Sequence, residues 1–394
     1  GHVYVDKNKN GVFDQSEKPL AGIKVSDGLN VVETAADGSF TLPGHERERF
    51  IFITTPSGYK TFNRHYHKIE KKQSGYDFGL IPYSGRIRKD GSHRYIHITD
   101  TEIFNTENHA DWVNNVRDYA RNEQAAFIIH TGDICYEKGL KAHIKLMNTE
   151  NMDCPVFYCI GNHDLVKGKY GEELFESIYG PVYYSFDAGN VHYVVTPMPG
   201  GDHAPGYTSD DVCRWLKNDL AHIRPGTPVV VFNHDLLTYE DTFIFKSKNA
   251  GSINLNEYNL KAWVYGHWHI NYMKKQGDVY SVCTSSLDKG GIDHSTTAFR
   301  VMHVDSKGDF TSELRYTYLD KNICIASPAG VMASGVLPVA VNVYSSVSPV
   351  REVLYTCLAD GKPVLKNKRL LQSTDWSWNG ELPLSHKYVG KELT

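Results

Sequence analysis

Val156-Phe-Tyr-Cys-Ile-Gly-Asn-His-Asp164 is the stretch that decides the fold. A run of strand-forming apolar residues stops at a glycine, and an amide, an imidazole and a carboxylate follow at once. Such a run reads as a short buried strand. Other stretches repeat the plan: Arg94-Tyr-Ile-His-Ile-Thr-Asp100, Ala126-Phe-Ile-Ile-His-Thr-Gly-Asp133, Val229-Val-Val-Phe-Asn-His234 and Trp263-Val-Tyr-Gly-His-Trp-His269. In layered α/β folds, ligands sit beyond the carboxyl ends of the strands. Asp100, Asp133, Asn162, His163, His234, His267 and His269 are therefore expected to converge. Oxygen and imidazole donors without a thiolate suit hard or borderline divalent metals and ferric iron rather than a structural zinc finger.

Working outward, helical patterns alternate with these strands. One spans His109 to Asn122, with Trp112, Val113, Val116, Tyr119 and Ala120 on one face. Another spans Ser209 to His222, with Ser209 as its N-cap and Val212, Trp215, Leu216 and Leu220 apolar. The alternation predicts an α/β layer architecture over 93–318. Residues 1–82 read instead as a small all-β sandwich of short alternating runs separated by Gly, Asp and Pro, and 83–92 as a linker. Residues 319–394 return to β. Val339–Tyr344 and Val353–Leu358 are strand-like, and Asp360-Gly361 is a hairpin signal.

Bulk properties narrow the function classes. The chain has 394 residues, which favours more than one domain, and a formal net charge of −4. No basic tract points to nucleic acid, and no apolar run is long enough for a transmembrane helix. The seven cysteines are scattered and form no disulfide framework.

The motifs Gly132-Asp133, Gly161-Asn162-His163-Asp164, the lone His234 and Gly266-His267-Trp268-His269, in that order, resemble those of the calcineurin-like metallophosphoesterases. The resemblance covers roughly Tyr95 to Val304. It implies a four-layer α/β/β/α core, here flanked by two small β domains as in exported bacterial members, and hence a periplasmic, cell-surface or secreted location. It also implies hydrolysis of a phosphate mono- or diester by metal-activated water at a di-metal centre of Mn, Zn, Fe or similar ions. By the same resemblance, Asp133 bridges the two metals. Asn162, His234 and His267 complete one site, and Asp100 and His269 belong to the other. His163 contacts phosphate and protonates the leaving group, and Asp164 orients it. The substrate is then a small-molecule or glycan phosphoester. The alternative is a non-catalytic surface scaffold or glycan-binding protein with a degenerate phosphoesterase domain. Trp376 and Trp378 would be its candidate platform, or else core residues.

Two positions depart from the family pattern. The first motif reads Asp100-Thr-Glu102, with Glu102 where a histidine is usual. The second ends in Tyr136, as in the purple acid phosphatases, where that tyrosine binds ferric iron. Glu102 and Tyr136 are thus both candidate metal ligands: Tyr136 by that resemblance, or Glu102 in place of the histidine with Tyr136 packing near by. The loop that begins Pro197-Met-Pro-Gly-Gly-Asp-His203 either overhangs the metals or is a plain surface loop. His65 and His67 lack acidic companions and read as surface residues. In the amino-terminal module, Asp6, Asn8, Asn10, Gly11 and Glu17 fit the spacing of a calcium loop, with an Asx-rich turn as the other reading.

Overall fold

The computed structural model describes residues 1–292, 295–319, 321–345, 350–373 and 376–394. They form two compact units, Gly1–Ser312 and Glu313–Thr394.

Two sheets carry the first unit. One has the order Val156–Tyr158, Phe127–His130, His93–Ile98, Ala298–Val304, Phe310–Tyr316, and the other the order Tyr184–Ala188, Val191–Val195, Val229–Phe232, Leu260–Tyr265, Val279–Cys283, Tyr272–Gln276. The motif-bearing strands run parallel within each sheet, so their carboxyl ends open at a common edge. Side-chain alternation divides the core into layers. Tyr95, Phe127 and Ile129 pack with Tyr193 and Phe232 between the sheets, while Ile96, Ile98 and Ile128 pack with Trp112, Val116 and Leu140 of the helices outside. Tyr95 stacks on Phe127 at 4.7 Å, a contact of a kind worth about 0.5–1.5 kcal/mol beyond burial. Helices Ala110–Asn122 and Tyr136–Leu146 cover the first sheet, and Ser209–Ala221 covers the second, through Trp215 and Leu216. The core is the four-layer α/β/β/α arrangement that the sequence leads one to expect.

Local details differ from the sequence reading. Thr208, not Ser209, caps the second helix, because it closes a capping box with Asp211. The helix Tyr136–Leu146 went unread because its apolar stripe is short and it begins inside a metal motif.

Residues 1–82 form two four-stranded sheets facing each other across Val3, Val25, Ile51, Ile53, Phe78 and Leu80. They do not stand apart as a separate unit. In strand Phe50–Ile53, Ile51 and Ile53 fill the sandwich, while Phe50 and Phe52 point the other way into the α/β core. His65 is half-buried rather than free on the surface. It packs against Tyr66, Phe157 and Tyr184, and burial pushes its pKa down to about 3.

The second unit begins at Glu313 rather than at residue 319. It has a four-stranded sheet around Val339, Val341, Leu370, Trp378 and Leu382, so Trp378 is a core residue. Its hairpin Leu354–Ala359 and Lys362–Arg369 turns at Asp360-Gly361, both at positive φ as a two-residue turn requires.

Candidate metal centre and active site

Each motif leaves its strand and turns sharply. Asp100, Glu102, Asp133, Cys135, Tyr136, His267 and His269 all have φ between 46° and 74°, where non-glycine residues are strained. The turns aim these side chains back over the strand ends. The motif glycines allow the backbones to crowd there. A Cβ on Gly161 would lie 2.2 Å from Asp133 Oδ1, and one on Gly266 would lie 2.5 Å from Asp100 Oδ2.

Asp133 lies at the middle. Its Oδ2 is 3.1 Å from His234 Nε2, and its Oδ1 accepts the His163 amide at 3.0 Å. Asp133, His234 and His267 bring ligand atoms within 4.8 Å of one another, as do Glu102, Asp133 and Cys135. Asp100 Oδ1 is 3.1 Å from His269 Nε2, and Asp100 Oδ2 accepts the His267 amide at 3.0 Å. Glu102 Oε1 is 3.5 Å from His269 Nε2, while its Oε2 pairs with Lys289 at 3.0 Å.

The donor set fits a metal cation. Asp100 and Asp133 are almost wholly buried, and among the described residues their ion-pair partners are imidazoles, not Lys or Arg. Buried charge of that kind calls for a cation. His234 gives Nδ1–H to the Thr131 carbonyl at 2.7 Å, which turns Nε2 toward Asp133. That Nε2 is shut off from solvent and faces Asp133 Oδ2, while Asn162 Oδ1, also shut off from solvent, has no hydrogen-bond partner among the described residues. Burial alone would lower the His234 pKa, but Asp133 and Asp100 outweigh it and hold the ring up to about 10. A cation among these ligands would relieve the same excess of negative charge.

His163 stands at the mouth, partly exposed. Asp164 does not orient it as the sequence suggested. Asp164 is buried and spends its oxygens on the Gly161 and Cys135 amides at 2.9 and 2.8 Å, so it shapes the motif turn. Burial and the neighbouring Asp133 raise its pKa to about 7. The carboxylate on His163 is Asp202, whose Oδ2 lies 2.9 Å from His163 Nδ1. Burial lowers the His163 pKa, but Asp202 and Asp133 raise it more. Tyr136 begins its helix 44% exposed, with its ring 5.3 Å from that of His163.

In the calcium-loop candidate, the carboxylates are turned onto the chain itself. Asp6 accepts the Asn10 and Gly11 amides at 3.2 and 2.9 Å, and Glu17 accepts the Lys7 amide at 2.8 Å. Asn8 and Asn10 give their amide nitrogens to Asp14 at 2.8 and 3.0 Å. Asn8 and Asn10 each close an Asx turn, their Oδ1 atoms accepting the Asn10 and Val12 amides at 3.2 and 2.8 Å.

Residues 93–271 match the family model for calcineurin-like phosphoesterase, and residues 7–82 match the model for its N terminal. The chain belongs to the calcineurin-like phosphoesterase family. Purple acid phosphatase 13 of Arabidopsis thaliana is 26% identical over 215 residues, which cover 51% of this chain and 36% of that protein. The chain thus matches only about a third of that curated relative's length. Among solved structures, GAP50, the anchor in the inner membrane complex of Plasmodium, is 14% identical with a TM-score of 0.34, over 58% of this chain and 85% of its own. A novel archaeal phosphodiesterase is 13% identical with a TM-score of 0.29, over 56% of this chain and 99% of its own.

Within this calcineurin-like phosphoesterase, sequence reading missed Asp202 and Cys135. Cys135 sits inside the second motif, and its place between Asp133 and Tyr136 was the available signal. Asp202 lies in the Gly/Pro-rich loop singled out as a possible cover for the metals, and nothing local marks it as the partner of His163.

Proposed function

We propose that this chain hydrolyses phosphate esters at a di-metal centre. Asp100, Asp133, Asn162, His234, His267 and His269 would hold the ions, with Asp133 central among them. The observation that supports it most is the buried cluster around Asp133: its carboxylate faces His234 Nε2 and has no Lys or Arg partner, and the enclosed Asn162 Oδ1 has no hydrogen-bond partner, both among the described residues. Bound cations would supply charge opposite the phosphoryl oxygens and lower the pKa of an attacking water.

The chain's own side chains do the rest. His163, tethered through Nδ1 to Asp202, has Nε2 left for the substrate. In its protonated form it donates that proton to the leaving oxygen, and Asp202 fixes the tautomer and the ring direction. Asp164 holds the turn from which Asn162 and His163 project. Glu102 is the better candidate for an additional ligand than Tyr136, because its Oε1 already lies beside His269. The substrates are small phosphoesters that reach a ligand set at the strand ends.

The test is elemental analysis together with a phosphoester panel. Chelated protein should lose hydrolysis and regain it with Mn, Zn or Fe, and Asp133→Asn should lose both metal and activity. Undiminished hydrolysis by metal-free protein overturns the proposal, as does a metal-loaded protein inert toward the whole panel.

A further inference from the structure

The loop that brings Asp202 to His163 is tied down at both ends, and the far tie comes from the amino-terminal sandwich. At the near end, the Asp202 amide donates to the Asn162 carbonyl at 3.1 Å, and a Cβ on Gly201 would lie 2.3 Å from that oxygen. The middle is fixed by the Gly171 amide, which donates to the Ala204 carbonyl at 2.8 Å. At the far end stands Gly206. Its carbonyl accepts from Arg47 Nη2 at 2.7 Å, and Arg47 also pairs with Asp211 at 2.6 Å. The Gly206 amide donates to Glu172 Oε2 at 2.8 Å, and Glu172 is held by Arg49 Nη2 at 2.7 Å. Arg49 also reaches Glu176 Oε1 at 2.8 Å and lies over the Tyr170 ring at 4.6 Å. The two side chains close tightly on the glycine: a Cβ at position 206 would lie 2.8 Å from Arg49 Nη1 and 2.9 Å from Glu172 Oε1.

Arg47 and Arg49 immediately precede the strand Phe50–Ile53, whose Phe50 and Phe52 are locked into the α/β core. A rigid element therefore presents the two guanidiniums. Both polar groups of the Gly206 backbone depend on it, the carbonyl directly and the amide through Glu172.

We propose that Arg47 and Arg49 are positioning residues for catalysis: by holding Gly206 they set the loop that delivers Asp202 to His163, so the amino-terminal sandwich is part of the catalytic apparatus. The inference rests on the phosphoesterase reading above. Without Arg49, Glu172 loses the guanidinium that holds its Oε1, the carboxylate gives up its place, and the Gly206 amide loses its acceptor. The loop then shifts and Asp202 leaves His163. A misplacement near 1 Å is enough to reduce rate by about 10²-fold.

The experiment compares Arg49→Met, Arg49→Lys and Arg47→Met with Asp202→Asn in the full chain. Each is assayed for kcat on a nitrophenyl phosphate and on an alkyl phosphate, and for metal content. Asp202→Asn should lose ~10–10²-fold on the alkyl ester, whose poor leaving group needs the proton, and only a few-fold on the nitrophenyl ester. Arg49→Met should reproduce that split with full metal content, and Arg49→Lys should recover part of it. Arg47→Met, which removes a half-exposed side chain, should show a smaller split and supplies the readout if Arg49→Met fails to fold. An active wild type whose arginine variants keep the wild-type rates, or lose equally on both esters, overturns this inference alone. A metal-loaded wild type inert toward both esters overturns the phosphoesterase reading and this inference with it.

Discussion

Glu176→Gln should remove a pH dependence of stability that the fold builds in beneath the active-site loop. Glu176 is buried with Arg49, Glu172 and Tyr170 around it and Lys68 near by. Burial raises its pKa from 4.5 to about 7. Arg49, the Tyr170 hydroxyl and Lys68 pull the other way, while Glu172 adds to the rise. The folded state therefore holds this proton more tightly than the unfolded chain. The stabilisation is fully present below about pH 4.5 and is lost as pH rises through about 7. A gap of about 2.5 units, the difference between 7 and 4.5, corresponds to about 3 kcal/mol at ~1.36 kcal/mol per unit. Glutamine keeps a carbonyl for Arg49 and cannot ionise. Urea unfolding of both proteins, followed by tryptophan fluorescence across this range, measures the difference. The variant should gain about 3 kcal/mol on the wild type from the acid to the alkaline end. A difference that does not change with pH refutes the reasoning. A wild type that gains on the variant as pH rises would show that the Arg49 ion pair, not burial, controls this carboxylate.

Gly161→Ala should lose metal and activity while the protein still folds, since the new Cβ would lie 2.2 Å from Asp133 Oδ1; elemental analysis and circular dichroism together check this. Glu102→Ala should lower metal content, whereas Tyr136→Phe, at a half-exposed ring, should keep it, and iron-loaded protein should lack a phenolate charge-transfer band. A coloured iron-loaded protein that Tyr136→Phe bleaches would reverse that assignment. Melting temperatures in millimolar calcium and in chelator should agree, because the oxygens of Asp6 and Glu17 already accept backbone amides. A calcium-dependent rise abolished by Asp6→Ala would assign a cation to the loop.

Much of the centre was legible because its pieces are local. A strand is read from a short apolar run, and in each motif the glycine and the ligand follow within a few residues. Asp133, Asn162, His163, His234, His267 and His269 all fall to that reading, and the parallel strands then bring them together. The N-cap at Thr208 was missed by one residue, as helix ends often are, since hydroxyls at adjacent positions offer the same chemistry. Phe50 and Phe52 were visible as strand residues, but not the core into which they point. Alternation tells which residues share a face and not what covers it.

The sequence by itself determined the order of strands and ligands, because those depend on residues close together along the chain. Only the tertiary structure decided which carboxylate serves His163. Asp164 is adjacent in sequence, but its oxygens are taken by the amides of Gly161 and Cys135. Asp202 arrives from a loop whose anchors, Arg47 and Arg49, lie far away in the chain. Contacts between such distant segments depend on how layers pack, and packing leaves no periodic mark on either segment alone.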